Sequence, residues 1–326
     1  MKLGISYNRP KFCPNATWNA SAVTFASSNT IGSEPFGIFV NRNNTVYIPN
    51  RANGTLFIWL NGNTLLRKNV SGNPSSINSL FVNDLEEIYI DHGSVFGRVD
   101  KYTLNSNNSN SVLYVCDTCD GLFIDTRNNL FCSMASYDQV IRKSLNVPSN
   151  TYTIVAGGTT SGSTPDLLSY PYGIFVDENF NLYVADFLND RIQRFVSGQL
   201  NATTVAGSGS INTIVLSGPT AVVLDAEGYL FIVDSYNHRI IGSGPNGFRC
   251  IVACSGAGVG ATAMEYPHTM AFDTFGNIFV SDELNGRVQK FLLRENSCGQ
   301  LSLHFSSDIH SNHLRFRSKY HNNNNN

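Results

Sequence analysis

The side chains best placed for chemistry are carboxylates that each precede an arginine by five residues: Asp186 and Arg191, Asp234 and Arg239, Asp282 and Arg287. Across a tight turn, such a carboxylate and guanidinium meet in a charge-assisted hydrogen bond. A catalytic acid or base is needed at one place, whereas this pair is written three times, so it reads as a brace for a turn. An exposed pair of this kind contributes only ~0.2 to 1 kcal/mol. Other reagents of hydrolysis are missing: the chain has no GxSxG, no HExxH and no phosphate-binding glycine loop. Of the seven histidines only His92, His238 and His268 precede the last 28 residues, and His238 stands where the matching segments carry Asp190 and Gly286. No set of imidazole ligands for a metal forms that way. No catalytic residue and no cofactor is assigned.

The elements that hold these pairs repeat. Pro171 to Phe195 contains three β-type runs, Gly173–Val176, Leu182–Ala185 and Arg191–Phe195, separated by turn-rich segments. Matching segments open at Pro219 and Pro267, each 48 residues after the one before, and weaker copies begin near residues 35, 77 and 119. The copies align on Asn41, Asn83, Asp125, Asp177, Asp225 and Asp273, and five residues later on Val46, Ile88, Leu130, Leu182, Leu230 and Ile278. A period of this size with strand-only content selects an all-β, six-bladed β-propeller of four-stranded antiparallel blades. Thr151–Gly157 and Leu200–Gly207 read as fourth strands. The sixth meander has none after it, so the similar stretch Trp18–Ala26 is expected to close the last blade.

The last three copies resemble NHL repeats, a propeller repeat with an Asp-x-x-Asn-x-Arg turn: Asp186, Asn189, Arg191; Asp234, Asn237, Arg239; Asp282, Asn285, Arg287. The first three copies depart from that turn, with Asn50 and Thr55 in the first. The resemblance spans residues 13–298 and implies a fold more firmly than an activity. Residues 1–12 then form an N-terminal leader, and 299–326, with four histidines and five terminal asparagines, a disordered tail.

Net charge is −2 and the isoelectric point about 6.4, so no basic field is available for nucleic acid. No apolar run is long enough to span a membrane, and no signal peptide is visible. The seven cysteines allow disulfides, reduced buried thiols or, less readily, a metal, since a lone CxxC at Cys116 and Cys119 lacks a partner motif. If disulfides form, Cys13–Cys298 would tie the two ends of the domain, and Cys250–Cys254 and Cys119–Cys132 are the next pairs, with Cys116 left over. Seven N-x-[ST] sequons, at Asn15, Asn19, Asn43, Asn53, Asn69, Asn107 and Asn201, permit a secreted glycoprotein. An extracellular location is expected.

Glycine- and serine-rich loops, 157–165, 207–218 and 255–263, follow the fourth strands and share a face with the Asp/Arg turns. Residues just after the blade-opening prolines lie at its centre and differ between blades: Phe36, Tyr172, Thr220 and His268. With Phe187, Tyr236 and Glu283 beside them they form the expected ligand-binding set, rich in aromatics exposed to a protein or glycan partner. The function expected is a non-enzymatic binding module. The alternative is a calcium-dependent hydrolase of small esters or lactones acting in the central channel.

Overall fold

In each blade the same turn joins the first strand to the second, and its chemistry explains why the six anchors must be Asp or Asn. A short side-chain oxygen accepts two backbone N–H groups, two and four residues ahead, as in Asp177 Oδ1 with Asn179 and Asn181 at 2.9 and 2.8 Å. All six anchors do this at 2.8–3.0 Å. The third turn residue is left-handed in every copy: Asn44, Glu86, Asn128 and Phe180, then Gly228 and Gly276. The aliphatic residue five after each anchor is buried in all six.

The computed structural model describes residues 4–52, 54–69, 77–93, 96–106, 108–211 and 213–294. Six four-stranded antiparallel sheets stand in a ring, a six-bladed β-propeller. Blade 4 is representative: Pro171–Val176 innermost, then Leu182–Asp186, Arg191–Phe195 and Ala202–Gly207 outermost. Blade 6 takes its outer strand from the other end of the chain. Val23–Ala26 pairs with Arg287–Phe291, so the ring is closed as expected, with Trp18 in a single bridge to Leu293 rather than in the strand. The Trp18 indole N–H donates to the Gly276 carbonyl at 2.8 Å and tightens the seam.

Among the described residues two disulfides have both ends, Cys119–Cys132 and Cys250–Cys254, while Cys116 is free and exposed. Cys298, the far end of the expected Cys13–Cys298 bridge, and the 299–326 tail lie outside the described residues. Among the described residues no helix is long and apolar enough to cross a membrane.

Residues 4–12, within the stretch expected to be a leader, pack on the propeller. They cross the anchor-turn end of the channel and plug it. Tyr7 packs against Phe81, Phe123 and Phe175, with ring centroids 6.4, 5.3 and 5.2 Å away. Asn8 donates to the carbonyls of Asn41 and Phe272 at 2.9 and 2.8 Å, spanning blades 1 and 6. Arg9 reaches the Asp225 carbonyl and pairs with Glu178 at 2.7 Å. A nine-residue segment thereby contacts every blade from 1 to 6, which is why one stretch of chain can seal a sixfold opening.

Candidate binding face and channel

The Asp/Arg pairs do more than brace hairpins. Arg191 Nε donates to Asp186 at 2.6 Å, Arg239 to Asp234 at 2.8 Å and Arg287 to Asp282 at 2.7 Å. All three carboxylates are fully buried, so the small contribution expected of exposed pairs is corrected to that of buried ones. The burial comes from the glycine/serine loops, whose carbonyls take the remaining guanidinium donors. Arg191 binds Ser163, Thr164 and Leu167, and Arg287 binds Val259, Gly260 and Ala263. The second carboxylate oxygen accepts the backbone N–H of Ser169, Ser217 or Glu265, each at 2.7 Å. Each brace therefore pins the loop that forms the face above it.

Blades are joined across the same face. A left-handed residue closing the second turn, Asp138, Asp190 or His238, accepts the N–H of the residue before the next blade's first strand: Tyr170 at 2.8 Å, Gly218 at 2.7 Å and Tyr266 at 3.1 Å. This accounts for His238: its Nδ1 is the acceptor that Asp190 supplies one blade earlier.

The mouth of the channel is a ring of six residues, each five before its anchor. It comprises Phe36, Asn78, Asp120, Tyr172, Thr220 and His268. Four of the seven residues expected to bind, Phe36, Phe187, Thr220 and His268, are buried rather than displayed. Phe36 is sandwiched, with the His268 ring 3.7 Å from it and the Arg51 guanidinium 4.5 Å from its centroid. Tyr172 meets His268 edge-on at 5.4 Å and Phe187 at 4.9 Å, and the Thr220 hydroxyl donates to the Pro267 carbonyl at 3.3 Å. Burial pushes His268 from 6.5 down to about 3, so its imidazole is neutral. Burial lifts Asp120 from 3.8 to about 6, against hydrogen bonds from Ala135 N–H and the Thr118 hydroxyl. Glu283 is also raised by burial, with Arg51 opposing.

Tyr170, Tyr236 and Tyr266 are accessible aromatics on this face over blades 4 to 6. Edge contacts link Tyr170–Tyr172–Phe187–Tyr236–Tyr266–His238 in one arc over blades 4 to 6, at 4.7–5.6 Å between centroids. Among the described residues no group of three His, Cys, Asp or Glu side chains could hold a metal ion.

With this geometry in view, comparison with known proteins locates the architecture. No protein-family profile matches the chain, and no curated protein does. Solved structures do. An auxiliary nutrient binding protein from Bacteroides thetaiotaomicron is 14% identical, with 89% of this chain and 76% of that chain covered and a TM-score of 0.64. A putative gluconolactonase is 12% identical, covering 89% and 98%, at 0.60. Virginiamycin B lyase from Staphylococcus aureus is 11% identical, covering 84% and 98%, at 0.59. These likenesses establish the fold alone. Binding proteins and enzymes both appear among them.

Asn78 and Asp120 were not among the expected site residues, although counting five back from Asn83 and Asp125 reaches them. The segments there open with Ile77 and Cys119 instead of proline, and the count from proline therefore stops short. Tyr170 and Tyr266 were also passed over, each directly before a blade-opening proline.

Proposed function

We propose that this propeller is a non-enzymatic binding module, NHL-like in its repeats, which engages a protein partner through the glycine/serine-loop face of blades 4 to 6. The observation that carries this is the tyrosine arc with its aliphatic surround: Leu188, Val215, Val259 and Leu284 are 59–80% exposed. Val215 and Val259 lie in loops that Arg239 and Arg287 clamp by their carbonyls, so the apolar groups are presented on a pinned frame. Rigid tyrosines flanked by aliphatics suit a protein surface, since a glycan gains contact from the rings but little from Leu and Val. The likeness to a nutrient-binding protein is in keeping with a binding role, and two disulfides support an extracellular location. The hydrolase alternative needs oxygen ligands converging in the channel, and among the described residues Asp120 is the one carboxylate that lines it. That donor set does not suit calcium.

The test is the double variant Tyr236→Ala with Leu284→Ser. Both side chains are surface groups, so melting should shift by no more than the equivalent of ~0.5 kcal/mol. Affinity for the partner, measured by surface plasmon resonance, should drop at least tenfold. A partner held with unchanged affinity would place the interface elsewhere, and binding of an isolated glycan array component instead would replace the protein by a sugar.

A further inference from the structure

Beneath the mouth, the channel encloses a cavity of about 130 Å³ that the macromolecular interface does not use. Its two ends differ. At the face end it meets His268, Asn78, Asp120 and Thr220; its middle is walled by Leu122, Ile174, Val222 and Met270; Tyr7 and Asn8 close the far end. His268 is only 6% exposed and Asn78 only 4%. Neither ring nitrogen of His268 has a partner that meets hydrogen-bond geometry, though the Phe36 backbone lies beside the ring, and Oδ1 of Asn78 has none. Two side chains from different blades thus hold three buried polar atoms without a well-formed hydrogen bond at the wall of one cavity. Buried polar groups are ordinarily paired, and unpaired ones mark a place where a further molecule is accommodated.

The chemistry of that molecule follows from the atoms left open. A neutral imidazole offers one N–H donor and one acceptor, and the amide oxygen offers a second acceptor. A hydroxyl, which donates and accepts, satisfies either. An anion would face the Asp120 carboxyl, and neither lysine nor arginine lines the cavity. A cation would find its one carboxylate there, Asp120, already acted on by the Arg51 guanidinium. A sugar would carry several hydroxyls into the aliphatic middle and leave them unpaired. The volume is near the roughly 150 Å³ of an apolar cavity that takes benzene.

We propose that the channel binds a neutral, single-ring phenol, with hydroxyl groups at the His268 and Asn78 end and the ring against Ile174, Leu122 and Met270. Asn78 and His268 belong to blades 2 and 6, two steps apart in a sixfold ring and so about 120° apart around the channel axis. Two hydroxyls placed meta on a benzene ring have the same angular spacing. Resorcinol is therefore the probe that can satisfy both residues together.

Ligand-observed NMR and calorimetry on the full chain, with benzene, phenol, resorcinol and benzoate, decide the matter without any macromolecular partner, so failure here is separate from failure of the protein-binding interface. Resorcinol and phenol should bind at least tenfold tighter than benzene, with benzoate undetected. In His268→Phe and Asn78→Leu the advantage of the hydroxyl compounds should vanish while benzene binding persists. Equal affinities for benzene and phenol, or binding of benzoate, would overturn the assignment. So would no binding of any probe together with a crystal grown in phenol that shows only water in the channel.

Discussion

Blades 4 to 6 and blades 1 to 3 solve the same problem, holding the second turn and the loop above it, by different means. In the former, a buried carboxylate is matched by an arginine that also binds carbonyls of the loop above it, three each in blades 4 and 6 and that of Val215 in blade 5. In the latter no such pair forms among the described residues. Asp91, one residue before the place of Asp186, accepts the N–H of Gly93 at 2.9 Å with one oxygen, and the other has no hydrogen-bond partner of good geometry. Arg98 turns instead to Asp100, at 3.1 Å, beside His92. Blade 3 has a covalent tie, Cys119–Cys132, from the segment just before its first strand to its second strand. The exposed tyrosine arc stands over the braced half. A surface meant for binding profits from a frame whose loops cannot drift, and buried guanidinium-to-carbonyl bonds supply one.

The widest separation between the halves is expected from Asp to Asn substitutions. Asp186→Asn leaves the buried Arg191 guanidinium without its anion, and loss of one partner of a buried pair costs about 3–5 kcal/mol. Asp91→Asn should cost under about 1 kcal/mol, because burial raises both carboxyls but only Asp186 has a guanidinium held against it, and an amide resembles the neutral form of Asp91. Chemical denaturation of the two variants measures both. Equal losses would mean that Asp91 is ionised and paired in solution, and the contrast between the halves would fall.

A second effect, smaller and dependent on pH, divides the mouth itself. The unfolded chain protonates its histidine near 6.5 while folded His268 resists until about 3, so stability falls as the pH drops through that interval. Folded Asp120 takes up a proton near 6, which the unfolded chain does only near 3.8, so stability rises as the pH drops from 6 to 3.8. The two oppose each other there. Comparing Asp120→Asn with the parent chain removes one of them and cancels the remaining acids, including neighbouring Asp117. The variant should lose about 1.4 kcal/mol relative to the parent per pH unit between 6 and 4. His268→Phe should change with the opposite sign. A pH-independent difference for both would show that neither group is held as the structure places it.

The sequence makes some of this legible and hides the rest for physical reasons. The anchors are visible because an Asx turn accepts only a short oxygen-bearing side chain, and Asn41 in the first blade and Asp273 in the last meet the same demand. The pairing of Asp186 with Arg191 is visible from their spacing. Its burial is not, since the covering groups are backbone carbonyls of Ser163, Thr164 and Leu167, which any residue type supplies. The plug is hidden likewise. Residues 4–12 have no periodicity, and Asn8 binds carbonyls of Asn41 and Phe272, at opposite ends of the propeller sequence.

The smallest expected effect is the most informative about the face. Tyr170 and Tyr266 hold left-handed backbone, φ 55° and 48°, at the position where blade 5 carries Gly218 with φ 52°. For a residue with a Cβ that conformation costs about 1–2 kcal/mol, which glycine avoids. A tyrosine is thus kept where the backbone prefers glycine, and its ring must contribute either to packing or to binding. Tyr266 is 38% exposed and touches Tyr236 and His238 by its ring. In Tyr266→Gly the relief of strain offsets the lost contact and the freer unfolded chain, so stability should move by less than about 1 kcal/mol. Tyr266→Val, β-branched in the same conformation, should cost more than Tyr266→Gly. If Tyr266→Gly keeps its melting temperature and loses partner affinity, the ring is held in strain for the interface. A loss above about 2 kcal/mol with affinity intact would make it a packing residue, and would shorten the binding arc to Tyr170 and Tyr236.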